Sequence, residues 1–336
     1  MHSSSKKVYL IGLNNDTLEV ASVAKKIGIK VEAIINDYFE EDFFEGIPVI
    51  RTDQANLQYA VINCSSSISP LKTQKHFTSI GFNVQYFAEF MVQCTGKFPQ
   101  RFLKFSSELE KIQNLYTELS DEISKKHFSS VTGFRSFGDL EYMADFEVNI
   151  KNQYLDMAKK LDPSSFMDVG GFDGDTSELL LSNLNGLTRI ELFEPNKTNI
   201  ENAKIRLQNH DCVNYHMYGL GNKNFVTRMS DDGSSSQVND EGELEIKIKR
   251  LDDIDIEAVD FIKIDIEGAE LSFLKGARGF LKETKPNLAI ASYHFVDDLI
   301  TIPNFVRNEI FCDYELYFRH YTQGWSESIL YFVPAR

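Results

Sequence analysis

Residues Phe166–Thr176, "FMDVGGFDGDT", place three glycines and three aspartates directly behind a short apolar run. A glycine turn at the end of a strand commonly offers bare N–H groups to a phosphate. Carboxylates interleaved with those donors repel phosphate and attract a cation. Asp168 stands at the strand end, Gly170 and Gly171 let a ligand approach the backbone, and Phe172 and Gly174 shape the wall. Further on, "RIELFEPN" puts Glu194 at the carboxyl end of a second strand, where an acidic side chain in a doubly wound sheet accepts from ribose hydroxyls. Pro195 suits the first position of the following helix, and Asn196 either touches adenosine or caps that helix. A nucleoside with a positive charge and no phosphate fits both strand ends. S-adenosylmethionine, with a ribose, an ammonium and a sulfonium, has that chemistry.

Two more strand ends carry ionisable groups. "DFIKIDIEGAE" supplies Asp265 and Glu267, and "ASYHF" supplies His294. If the methyl acceptor is an alcohol, its proton must go to a base within hydrogen-bond reach or be acidified by a metal. His294 is the candidate base because imidazole titrates in the useful range. Asp265 and Glu267 are rivals for that role, or oxygen ligands for Mg2+ together with another carboxylate. The simpler assignment has no metal: Asp265 contacts the cofactor and Glu267 caps the next helix. Ser235 or Ser236, in "SDDGSSSQV", closes over the adenine or belongs to a solvated loop. Arg319 and His320 are acceptor contacts or, more simply, surface residues.

These positions require a sheet whose strand ends meet. From Phe166 onward the chain alternates "FMDV", a helix from Thr176, "RIELF", "PNKTNIENAKIRLQNH", "VNYHM", "LEIKIKRL", "DFIKI", "AELSFLKGARGFLKE" and "NLAIAS". Such alternation predicts a mostly parallel sheet with helices on both faces. "YELYFRHY" and "SILYFV", joined by "TQGWSE", predict an antiparallel hairpin on the far edge. Residues 1–92 read as a small Rossmann-like α/β domain built on "VYLIGL", "IKVEAIIND", "GIPVI" and "YAVINCSSS". Gly12 is the only glycine at its first turn, so the dinucleotide fingerprint is missing. Residues 93–160 read as a helical connector, in which Leu109, Ile112, Leu115, Tyr116, Leu119 and Ile123 mark one helical face. The third part is 161–336.

The chain of 336 residues has a net charge of -15, which gives no general attraction for nucleic acid or anionic membrane. The four cysteines form no C-x-x-C pair and suit a reducing cytoplasm. The apolar run near the N-terminus is short and reads as a strand rather than a signal segment, and no segment reaches the length of a membrane span.

"FMDVGGFDGDT", "LFEPN", "RLDDI", "DFIKIDIEGAELSFLKGA" and "ASYHFVDDL", in this order, resemble the FkbM family of S-adenosylmethionine-dependent methyltransferases over about residues 161 to 333. The resemblance implies a class I methyltransferase fold, doubly wound with an antiparallel C-terminal edge strand. It also implies O-methylation of sugars or related natural-product hydroxyls, and a hydroxyl of a sugar or glycan, such as a cell-surface polysaccharide, is the acceptor expected here. Residues 1–92 are similar to the small Rossmann-like domain that precedes some sugar acyltransferases. Two other classes stay open: a nicotinamide-dependent oxidoreductase, and a noncatalytic glycan- or partner-binding protein on a methyltransferase scaffold.

Overall fold

The computed structural model describes residues 7–229, 244–310 and 313–335, which form two compact units. Unit 1 comprises Met1–Glu110, Phe128–Asn149 and Tyr321–Ser326, and unit 2 comprises Lys111–His127, Ile150–His320 and Glu327–Arg336. The stretch read as a connector, 93–160, is divided between them.

In unit 1 the strands are β1 (Lys7–Ile11), β2 (Lys30–Ile35), β3 (Phe43–Phe44), β4 (Ile47–Ile50), β5 (Ala60–Asn63) and β6 (Val84–Tyr86). They form one sheet in the order β3-β4-β2-β1-β5-β6, parallel except for β3. The apolar runs of β1 and β5 are buried almost throughout, as parallel strands covered on both faces should be. Tyr9, Ile11, Ala33, Val61, Phe77 and Phe82 pack together on this sheet. After β1, Asn14 caps the helix Asn15–Lys26 by accepting the Thr17 N–H at 3.0 Å, and its Nδ2 donates to the Cys64 carbonyl. The turn Tyr321–Ser326 lies in this unit: Trp325 N donates to Ser66 O at 2.7 Å, and Arg101 and Arg135 both stand over the Trp325 ring.

In unit 2 the strands are β7 (Ser165–Val169), β8 (Arg189–Phe193), β9 (Val213–His216), β10 (Gly219–Leu220), β11 (Phe225–Met229), β12 (Leu244–Lys249), β13 (Phe261–Ile264), β14 (Asn287–Ala291), β15 (Tyr314–His320) and β16 (Ser328–Pro334). The main sheet runs β15-β16-β14-β13-β7-β8-β9. The five strands from β14 to β9 are parallel; β16 runs antiparallel between β14 and β15, so β15, at the edge, points the same way as the five. The mixed α/β architecture with an antiparallel C-terminal edge is the one expected from the alternation of elements. One strand departs from that reading. "LEIKIK" alternates exposed and buried residues, so it needs only one covered face, and β12 pairs with β10 and β11 in a separate small sheet.

The helical face of the connector also breaks. The helices are Leu109–Tyr116 and Glu122–Phe137; Ile112, Leu115 and Leu119 are buried, whereas Tyr116 and Ile123 are exposed. Between them Ser120 N donates to Leu316 O at 2.8 Å, and Asp121 accepts the Ser124 N–H at 2.7 Å, restarting the helix out of phase. Arg319 and His320, read as surface residues, are buried instead: Arg319 pairs with Asp121 at 2.7 Å and His320 contacts the Ser328 hydroxyl at 2.9 Å. Among the described residues no helix is long and apolar enough to cross a membrane.

Candidate active site

β7 is the central starting strand, with β8 on one side and β13 on the other, so the chain reverses its direction of sheet growth at the β7–β13 seam. Crevices at such reversals, beyond the carboxyl ends of the strands, are where ligands bind in open α/β sheets. Asp168 and Lys263 are lateral partners across that seam. Asp168 is completely buried; its Oδ2 accepts the Ser177 hydroxyl at 2.7 Å and its Oδ1 lies 3.1 Å from Lys263 Nζ. Lys263 Nζ also donates to the Gly170 carbonyl at 2.5 Å. Burial pushes the Asp168 carboxyl up against the pull of Lys263; burial pushes Lys263 down, and the charges of Asp168 and Asp265 more than offset it. Lys263 did not stand out in the sequence. The available signal was one opposite charge in each of two otherwise apolar runs, "FMDV" and "FIKI".

The glycine loop is bound to its own protein. Gly170 N and Gly171 N both donate to Phe193 O at 3.0 Å, Gly174 N to Gly171 O at 2.8 Å, and Phe172 N to Glu194 Oε2 at 3.2 Å. A Cβ on Gly170 would stand 2.0 Å from the Asp265 carbonyl oxygen, and one on Gly171 would stand 2.5 Å from Leu192 Cγ. The glycines therefore permit the approach of β13 and β8, and Phe172 itself takes a left-handed backbone at φ 44°. Asp173 pairs with Arg206, and Asp175 is the first residue of the helix Asp175–Asn183.

Glu194 is 6% exposed at the end of β8. Its Oε1 accepts from Asn196 N at 2.9 Å and Asn199 Nδ2 at 3.2 Å, which leaves Oε2 with the single Phe172 bond among the described residues. Burial raises its pKa, partly countered by these donors. Asn196 caps the helix Lys197–Arg206, accepting the Thr198 N–H at 2.8 Å, so Pro195 precedes the cap rather than opening the helix. Ser235 and Ser236 lie outside the described residues.

Beyond β13 and β14 lies an acidic cluster around one histidine. His294 Nδ1 is 3.1 Å from Glu270, and Nε2 is 3.6 Å from both Asp265 and Glu267. Tyr154 and Tyr293 donate to the two oxygens of Asp265 at 2.9 and 3.4 Å. The turn that follows is closed by Glu270, whose Oε1 accepts from Ile266 N and Gly268 N, so Glu270 does the capping expected of Glu267. Glu267 instead holds φ 54° and turns toward the imidazole. Asp265, Glu270 and His294 have one ligand-type atom each within 4.8 Å of the others, the spacing of a metal site. Two of these donors are engaged: Glu270 by backbone N–H groups and His294 by a proton.

That proton is firmly held. Burial pushes the His294 pKa down, but the hydrogen bond and charge of Glu270, with Asp265 and Glu267, carry it up to about 9. Because the folded value exceeds the ordinary 6.5, the resulting stability is complete below pH 6.5 and is lost as pH rises through 9. We expect the full chain to lose about 3 kcal/mol across that window. Thermal unfolding of the parent and of His294→Asn should show it: the gap between them narrows from pH 6.5 to 9, and a constant gap would refute the assignment.

The structure thus brings Asp168, Gly170, Gly171, Glu194, Asp265, Glu267 and His294 to one edge of the sheet. The methyltransferase FkbM from Methylobacillus flagellatus superposes on 98% of this chain and 90% of its own with a TM-score of 0.73 at 23% identity, a likeness of fold. An O-methyltransferase of tomaymycin synthesis from Streptomyces achromogenes reaches a TM-score of 0.36 at 12% identity over 71% of this chain and 100% of its own. None of the curated proteins matches the chain. Residues 168–327 match the model of the methyltransferase FkbM domain.

Proposed function

We propose that the chain transfers a methyl group from S-adenosylmethionine to a hydroxyl of a sugar or glycan. The observation that carries the cofactor assignment is the glycine loop, whose N–H groups at Gly170, Gly171, Phe172 and Gly174 are all given to protein acceptors. Little is left there to cradle a pyrophosphate, whereas Glu194 Oε2 has room for a ribose hydroxyl and the surrounding carboxylates favour a cation. This disfavours the nicotinamide reading for unit 2. In unit 1 a Cβ on Gly12 would stand 3.1 Å from the Cys64 and Ser65 backbone, so this glycine, too, permits the close approach of the chain's own backbone.

When bound, the cofactor supplies a sulfonium methyl open to in-line displacement by an oxygen. The chain's part is to orient and to handle the proton. Glu194 orients the ribose, with Asn196 and Pro195 behind it; Gly170, Gly171, Phe172 and Gly174 form the wall held by Asp168 through Lys263. Asp265, anchored by Tyr154 and Tyr293, sits between the cofactor side and the acceptor side. His294, protonated at neutral pH, holds Asp265, Glu267 and Glu270 together and is a poor proton acceptor in that state. The exposed Phe295 ring, packed over Gly268, offers an apolar face to a sugar.

The test is calorimetric binding of S-adenosylhomocysteine to the parent and to Glu194→Ala. We expect the variant to bind about 10- to 100-fold more weakly, the worth of hydrogen bonds to a charged group. Equal affinity would remove the ribose assignment. A parent stabilised by NAD and indifferent to S-adenosylhomocysteine would remove the methyltransferase reading, and binding without labelled-methyl transfer into a cell-surface glycan extract would favour the noncatalytic alternative.

A further inference from the structure

We propose that Tyr154 is a positioning residue: its hydroxyl holds the Asp265 carboxylate short of a closed pair with His294, so that the Asp265 charge stays available to the sulfonium of the cofactor. The assignment rests on the methyl-transfer reading above. Tyr154 precedes the matched residues 168–327, and nothing in the sequence pattern around it marks a site. In the folded unit it is 3% exposed and donates its hydroxyl proton to Asp265 Oδ2 at 2.9 Å, across 111 positions of sequence. Its backbone takes a positive φ of 68° as the N-cap of the helix Leu155–Leu161, a strained conformation for a non-glycine residue and one that persists only where the surrounding structure fixes it. The Lys263 ammonium stands over its ring, 5.9 Å from the centroid, and helps to pin it.

His294 competes for the same carboxylate. Its Nε2 is 3.6 Å from Asp265 Oδ1, beyond hydrogen-bond reach, and makes no hydrogen bond among the described residues. A carboxylate free to turn would close that gap, because a charge-assisted contact forms at about 2.7–2.9 Å. Tyr293 adds only a long bond to Oδ1, 3.4 Å, so the short restraint is the one from Tyr154. The Asp265 side chain keeps 19% of its surface exposed at the end of β13, and its main-chain oxygen closely approaches Gly170 of the glycine loop. A negative charge fixed by a neutral donor keeps its field, whereas one closed onto a cation is largely cancelled. S-adenosylmethionine and S-adenosylhomocysteine differ at sulfur by one methyl group and one positive charge. The Tyr154 restraint therefore favours the substrate form of the cofactor over its product.

The experiment measures, by calorimetry and without acceptor, the Kd of S-adenosylmethionine and of S-adenosylhomocysteine for the full chain, Tyr154→Phe, Asp265→Asn and the double variant. We expect Tyr154→Phe to weaken S-adenosylmethionine about 10-fold and S-adenosylhomocysteine less than about twofold, the size of one lost hydrogen bond to a charged group felt only by the cationic ligand. Asp265→Asn should lose at least as much of the ratio between the two ligands, and adding Tyr154→Phe to it should change that ratio little, because Tyr154 acts through Asp265. Equal losses for both ligands in Tyr154→Phe, the mark of a merely structural role, overturn the proposal, as does a ratio unchanged from the parent; either result leaves the methyl-transfer reading standing. If Tyr154→Phe does not fold, Asp265→Asn decides: a lost ratio supports the proposal and a parent-like ratio overturns it. A parent that binds neither ligand removes the methyl-transfer reading and the proposal together.

Discussion

Lys263→Met is expected to destabilise the chain by about 3–5 kcal/mol at neutral pH, the usual cost of removing one partner of a buried ion pair. Asp168 is completely buried, and with Lys263 gone its carboxylate would keep only the Ser177 hydroxyl. The charge cannot be rehydrated where it lies, so Asp168 must bind a proton or the strand end must open. Its pKa is already raised by burial with the ammonium present, and losing the ammonium raises it further. The sign follows: the folded variant binds a proton that the unfolded chain has released, so the loss of stability grows with pH above the ordinary carboxylate range and fades below it. Denaturant titrations of parent and variant at pH 4.5 and pH 7.5 measure this directly. Asp168→Asn added to Lys263→Met should recover a large part of the deficit, because an amide can still accept from Ser177 without burying a charge. A neutral-pH loss below about 1 kcal/mol, or the same loss at both pH values, would mean that the pair is not the anchor of the seam.

The same residues explain what was legible in the sequence. Strand ends announce themselves locally, because an apolar run that stops at Asp168, Glu194 or Asp265 is visible in a window of a few residues; the fold class and the edge that collects the ionisable groups follow from that. Pairing is not local. Lys263 is a lone charge in its strand because its partner lies 95 positions away. In sequence alone the glycines open toward a ligand, since sequence cannot distinguish space left for a cofactor from space left for another strand. At Gly170 and Gly171 that space holds Asp265 and Leu192. The helical spacing from Leu109 to Ile123 runs through the break that Leu316 and Asp121 impose, and Asp121, the partner that buries Arg319, is distant from it in the sequence. In each case the pattern was right about residue type and silent about the partner that decides its place.

Gly170→Ala and Gly171→Ala separate the two kinds of space, and the first is expected to be the more damaging. At Gly170 the backbone is at φ 81°, where an L side chain costs about 1–2 kcal/mol. The new methyl would also meet the Asp265 carbonyl oxygen at 2.0 Å. That oxygen cannot swing aside alone: Asp265 N is tied to Val169 O at 3.1 Å, and the β13 register holds Ile264 beside Val169. Relief must come from displacing the end of β13, which moves Asp265 and loosens its contacts with Tyr154, Tyr293 and His294. Overpacking of this kind adds about 1–3 kcal/mol to the backbone penalty, so the expected loss is about 3 kcal/mol, accompanied by loss of methyl transfer even where the chain stays folded. At Gly171 no left-handed backbone is involved, and the obstacle is the Leu192 side chain, 2.5 Å away. A second change can vacate that position, so Leu192→Ala should restore part of what Gly171→Ala loses, whereas no single side-chain truncation should rescue Gly170→Ala. Unfolding free energies and S-adenosylhomocysteine affinities of Gly170→Ala, Gly171→Ala and the double variant with Leu192→Ala provide the check. Equal tolerance of alanine at both positions would show that β13 can give way at its end, and the placement of Asp265 beside the glycine loop would then cease to be a fixed feature of the site.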